Sequence, residues 1–98
     1  GFTTDGFIEY RMSLENEKFD KLIACVESLN NEISNDESLG DGFCIGHSYF
    51  CNLSPDTIDD QVLSGIVEYE LIPLLKEYWF DEPTKVKDWS SNLRSAIK

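Results

Sequence analysis

The chain has 98 residues, 41% of them hydrophobic and 12% aromatic, which suffices for one domain with a modest core and is too apolar for disorder. Its 19 acidic residues outweigh 8 basic ones, and the resulting net charge of −11 argues against direct nucleic-acid binding, which rests on Lys and Arg neutralising phosphates. No apolar run approaches the ~18 residues of a membrane span, and no basic start leads into an apolar signal segment. Three cysteines, an odd count without the spacing of a disulfide framework, are consistent with a reducing cytoplasm.

In chain order, Asp5-Gly6 opens a short helix whose apolar face is expected to be Phe7, Ile8, Met12 and Leu14. Asn16 caps a second helix with Glu17 in its first turn, where the helix dipole favours an acid. Phe19, Leu22, Ile23, Val26, Leu29 and Ile33 recur there at spacings of three and four, the signature of an amphipathic helix. Cys25 falls beside that stripe as a small hydrophobe. The polar run Ser34–Ser38 ends the pattern.

The segment Leu39–Cys51 has a different character. It holds three glycines, several aromatics, two cysteines and His47, the single histidine of the chain. Gly40 and Gly42 are expected to shape a turn, and Gly46 to bend the backbone before a short helical turn carrying His47, Ser48, Tyr49 and Phe50. Phe43-Cys44-Ile45 is the one stretch with strand character. Beyond it, Ser54 and Pro55 read as the cap and first residue of a third helix. Its inner face is expected to be Ile58, Val62, Ile66, Tyr69, Leu74 and Leu75, widened by Leu63, Val67 and Leu71. Pro73 lies inside this pattern and predicts a kink or a break. Asp81 and Pro83 open a last helix with Val86, Trp89, Leu93 and Ile97 inward. The pattern as a whole predicts a single all-α domain over 1–98, a small bundle of four to five helices.

Candidate chemistry is sparse. Cys44, His47 and Cys51 would share a helix face, and Cys and His bind zinc, but a structural site needs four ligands and no second His or CxxC pair is present. The same residues as nucleophile and base lack an oxyanion site and an orienting group. Asp59-Asp60 and Asp81-Glu82 read as helix-start charges. No phosphate loop of the GxxxxGK[ST] type occurs. Three successive aromatics, Tyr78-Trp79-Phe80, point in different directions on a helix, so at least one reaches the surface, with an interface or the core as its destination.

Leu29-Asn30-Asn31-Glu32-Ile33, Leu39-Gly40 and Gly42-Phe43-Cys44-Ile45-Gly46-His47-Ser48-Tyr49-Phe50 resemble the C-terminal part of McrB-type proteins. Those are the AAA+ nucleotide-hydrolysing subunits of modified-cytosine-specific restriction systems. Ile72–Pro83, followed by Lys85, Lys87 and Trp89, resembles that family's closing segment, so the likeness covers roughly residues 22–94. The resemblance implies an all-α lid of the AAA+ C-terminal type, a fragment of a longer chain, as the start at Gly1 without Met also suggests. The fragment would be inactive by itself. Its parent would use GTP or ATP with magnesium, through a phosphate loop, metal-coordinating acids and an arginine finger lying upstream. The implied partners are the upstream nucleotide-binding subdomain, neighbouring subunits of a homo-oligomeric ring and a separate nuclease subunit. By position along the lid, Gly46, His47 and Ser48 would face the nucleotide or the hinge, although the Arg usual at such a helix start is absent. The other reading is a free-standing α-helical module that binds protein through its aromatic face.

Overall fold

The computed structural model describes residues 1–98, and it is all-helical: α1 (Asp5–Leu14), α2 (Glu17–Asn35), α3 (Asp60–Ile66), α4 (Ile72–Tyr78) and α5 (Pro83–Ala96). A π-helical turn, Val67–Leu71, joins α3 to α4, and two 3-10 turns, Asp41–Phe43 and His47–Phe50, lie in the long connection after α2. The bundle measures 39 × 26 × 17 Å.

The spine is α2. The Asn16 side chain accepts the Phe19 N–H at 2.8 Å and so satisfies one of the unpaired amides of the first turn. All six apolar residues of its stripe, from Phe19 to Ile33, are completely buried. Cys25 is half-buried beside them, and burial pushes its thiol pKa up. On α1 the threonine at position 4 acts as cap, its hydroxyl accepting the Phe7 N–H at 3.4 Å. Its buried face is narrower than the spacing predicts. Phe7 and Leu14 are inside, but Ile8 is 42% and Met12 71% exposed. Tyr10, i+3 from Phe7, takes the inner position instead, with its ring 6.5 Å from that of Phe19. Arg11 ties α1 to α2 through Asp20 at 2.8 Å.

The third helix begins later than Ser54-Pro55 suggests. Those residues close a single turn, with the Ile58 N–H donating to the Ser54 carbonyl at 2.9 Å, while the Ser54 hydroxyl bonds the Thr57 hydroxyl at 2.9 Å instead of capping a backbone amide. The cap is Asp59, whose carboxylate accepts the Val62 N–H at 2.8 Å.

Through Pro73 the backbone stays helical, with neither break nor restart. The π-helical turn replaces the expected break: the Ile72 N–H reaches back five residues, to the Val67 carbonyl. A wider turn relieves the crowding between the Pro73 ring and the carbonyl four residues earlier. It also shifts the phase of the buried face, which runs Leu63, Ile66, Val67, Leu71, Ile72, Leu75 and Trp79. Tyr69, expected inside, is carried outward to 83% exposure.

Helix α5 packs along α2 and α4. Leu93 is buried; Val86, Trp89 and Ile97 are half-buried. Arg94 holds α5 to the π-helical turn by a two-pronged pair with Glu68, at 2.6 and 2.8 Å. At the far end of the bundle, Asp36 gathers three elements. Its carboxylate accepts Trp79 Nε1–H at 2.8 Å, the Ser38 N–H at 2.8 Å and Lys85 Nζ at 3.3 Å. Lys85 also lies 5.5 Å over the Trp79 ring, a cation–π contact.

Candidate functional site

The connection between α2 and α3 is held from below at two points. Gly40, with φ +89°, occupies the left-handed region that favours glycine and turns the chain after α2, its N–H donating to the Ile33 carbonyl at 3.2 Å. Gly42 and Gly46 have no positive φ, and a Cβ at either would meet nothing within 4 Å, so neither bend demands glycine.

The first anchor is Asn30 on α2. Its Oδ1 accepts the Ile45 N–H at 2.7 Å and its Nδ2 donates to the Ile45 carbonyl at 2.9 Å. One side-chain amide thus does what a neighbouring strand would do, and Phe43-Cys44-Ile45 joins no sheet. The Ile45 side chain is buried beneath this clasp. The second anchor is Tyr10 on α1. Its hydroxyl donates to the Phe50 carbonyl at 2.6 Å and accepts the Leu53 N–H at 2.9 Å. Burial pushes the Tyr10 phenol up, with the Leu53 backbone bond pulling the other way. Phe50, completely buried, packs 6.1 Å from Phe19.

Between the anchors the chain emerges at Gly46, His47 and Ser48, all three exposed. The imidazole of His47 meets the Phe7 ring edge-on at 6.0 Å and borders a cavity of about 270 Å³ shared with Thr4, Gly6, Tyr10 and Cys51. Ser48 borders a different depression of about 490 Å³, with Leu53, Val62, Ile66 and Glu70 of the α3 side. The structure therefore sets the three residues on one exposed turn, with His47 and Ser48 bordering separate hollows.

The cysteines go separate ways. Cys44 Sγ donates to the Asn30 carbonyl at 3.6 Å, and Cys51 Sγ to the His47 carbonyl at 3.2 Å. No three His, Cys, Asp or Glu side chains come together in a way that could hold a metal ion. Of the aromatic triplet, Trp79 is buried, Tyr78 half-buried with its ring 5.3 Å from Phe43, and Phe80 82% exposed. Asn30, Tyr10 and Asp36 escape the hydrophobic periodicity, because the bonds by which they shape the fold reach distant segments.

The chain is a single-core helical domain that presents one clamped, exposed turn between its second and third helices, without strands. The chain belongs to the McrB alpha-helical lid domain family, whose model matches residues 21–87 and so includes both anchored ends of the turn. It is 41% identical over 101 residues to the Type IV methyl-directed restriction enzyme EcoKMcrB subunit of Escherichia coli (strain K12). That alignment takes in 95% of this chain and 21% of the relative's length. No solved structure matches. No helix is long and apolar enough to cross a membrane.

Proposed function

We propose that this chain is the lid of an AAA+ nucleotide-hydrolysing restriction subunit, acting in the bacterial cytoplasm. In this reading it follows the α/β subdomain that holds GTP or ATP with magnesium, closes over the bound nucleotide and contacts the next subunit of a homo-oligomeric ring. Nucleotide state then becomes relative motion of rigid bodies, which drives modified-cytosine-specific cleavage by a separate nuclease subunit. The observation that carries the reading is the lid-family match across the whole clamped segment.

What the chain's own residues contribute follows from their chemistry. Gly46, His47 and Ser48 are exposed and polar, and the anchors at Ile45 and Phe50 fix their position, so they suit contact with a nucleotide or hinge at little ordering cost. None of the three carries the permanent cation that phosphate neutralisation needs, so that charge falls to the upstream subdomain. His47 and Ser48 border different hollows, and together with Gly46 they face the nucleotide or the hinge in this reading.

The test uses the full-length protein. His47→Ala is expected to weaken binding of a non-hydrolysable nucleotide about fivefold, the worth of one hydrogen bond of about 1 kcal/mol, and to slow turnover. Unchanged affinity and turnover in both His47→Ala and Ser48→Ala removes the contact. The alternative, a free-standing protein-interaction module, draws on the exposed Phe80. A coding sequence that holds no phosphate-loop segment upstream of Gly1 would select it.

A further inference from the structure

The aromatic triplet ends in a surface away from the Gly46–Ser48 turn. Phe80 is 82% and Phe43 43% exposed, on a domain whose other aromatic rings, apart from Tyr69, are largely packed. With Leu39 and Tyr78 they border a groove of about 520 Å³, and the same groove is edged by Glu77 and Asp81. It adjoins a second hollow of about 310 Å³, with Ser38, Tyr78 and Asp81 lining both. The second hollow has the opposite chemistry. Asp36, Glu37, Asp81 and Glu82 lie around it, against Lys85 alone.

Lys85 is already engaged, at 3.3 Å from Asp36 and 3.6 Å from Glu82, so it does not offset Glu37, Glu77 or Asp81. The floor of the first groove is rigid. Tyr78 stands edge-on to Phe43, and the adjacent Trp79 is buried and tethered to Asp36. An apolar slot beside an acidic one is complementary to a chain that sets an apolar side chain next to a lysine or arginine. The field selects against the other occupants. Nucleic acid is repelled, and so is a second copy of a domain whose own charge is −11.

We infer that the Leu39–Phe43–Tyr78–Phe80 groove docks a basic peptide segment of another polypeptide, with an apolar side chain on Phe80 and its neighbouring Lys or Arg among Asp81, Glu37 and Glu77. Phe80 supplies the desolvated contact at the centre. The carboxylates set orientation and raise the association rate. The inference is independent of the nucleotide reading, because Phe80 and Asp81 lie outside the clamped turn.

The experiment selects a random peptide library on the immobilised full-length protein, with counter-selection against its Phe80→Ser variant. Phe80 is so exposed that the exchange leaves the core untouched. The expected survivors share an apolar residue beside Lys or Arg. Their synthetic versions bind the wild type at least tenfold more tightly than Phe80→Ser and severalfold more tightly than the Glu77→Gln, Asp81→Asn double variant, and they lose affinity as salt rises. Survivors without a basic residue, no survivors at all, or equal binding to Phe80→Ser overturns the inference. So does a single-stranded or duplex oligonucleotide that binds the wild type and loses affinity in Phe80→Ser.

Discussion

Asn30 uses both ends of its amide on one residue of another segment, and the position of the candidate turn depends on it. Truncation leaves the N–H and carbonyl of a buried residue, Ile45, without partners. Unmade buried hydrogen bonds cost more than made ones return. Asn30→Ala is therefore expected to lower unfolding free energy by about 2 kcal/mol, read by urea denaturation. Asn30→Asp keeps an acceptor for the Ile45 N–H but confronts the Ile45 carbonyl with a second oxygen, so it is expected to be no better than alanine. An Asp variant as stable as wild type would show that the Nδ2 bond contributes nothing. In the hydrophobic pattern Asn30 is a polar position on a helix flank, and its partner lies 15 residues away. Tyr10 bonds Phe50 across 40 positions and is equally silent. His47 and Ser48 were legible as candidates because glycine, histidine and serine crowd together locally; the residues that hold them in place leave no comparable local mark.

Three elements meet at Asp36: the end of α2, the end of α4 through Trp79, and the first turns of α5 through Lys85. The Trp79 hydrogen bond, then the Ser38 N–H and Lys85, hold the Asp36 carboxyl below its ordinary 3.8, against an opposing effect of burial. A depressed carboxyl gives stability that is present above the unfolded value and lost as pH falls through the folded one. Lys85 is raised above its ordinary 10.5, chiefly by Asp36, so its share is present below that value and lost as pH climbs past it. The junction should thus be at full strength between those limits and weaken outside both. Asp36→Asn retains acceptor capacity for Trp79 while removing the charge. Its melting temperature is expected to fall below wild type at neutral pH and to converge with it in acid below 3.8. A gap of constant size across the acid range contradicts this. At the same scale, α2 was readable residue by residue because every core position repeats at three and four without interruption. The α3 start lies later than the sequence implies because Ser54-Pro55 carries a genuine cap signal, and the hydroxyl of Thr57 captures it. Tyr69 faces outward because a π-helical turn shifts the phase, and no residue type within Val67–Leu71 announces that turn.

Over the whole molecule the charge matters more than any one pair. Two unit charges ~20 Å apart in water repel by only about 0.2 kcal/mol, but a net −11 confined within 39 × 26 × 17 Å contains many such pairs. The unfolded chain carries the same charges further apart, so the difference acts against folding. Four close ion pairs oppose it: Arg11–Asp20, Lys18–Asp60, Lys85–Asp36 and Arg94–Glu68, at 2.6 to 3.3 Å. Salt separates the two effects by range. The screening length falls from ~30 Å at ~0.01 M to ~8 Å at ~0.15 M, which removes repulsion across the domain and leaves contacts of a few ångströms largely intact. The thermal midpoint of the 98-residue chain should therefore rise with sodium chloride over this interval, by about 5 °C, equivalent to about 1 kcal/mol for a domain of this size. Surface ion pairs are individually worth ~0–1 kcal/mol, so their partial loss does not reverse the sign. A midpoint that falls over the same interval would mean that the four pairs outweigh the net field. The acidic surface would then owe its stability to local pairing at those four positions.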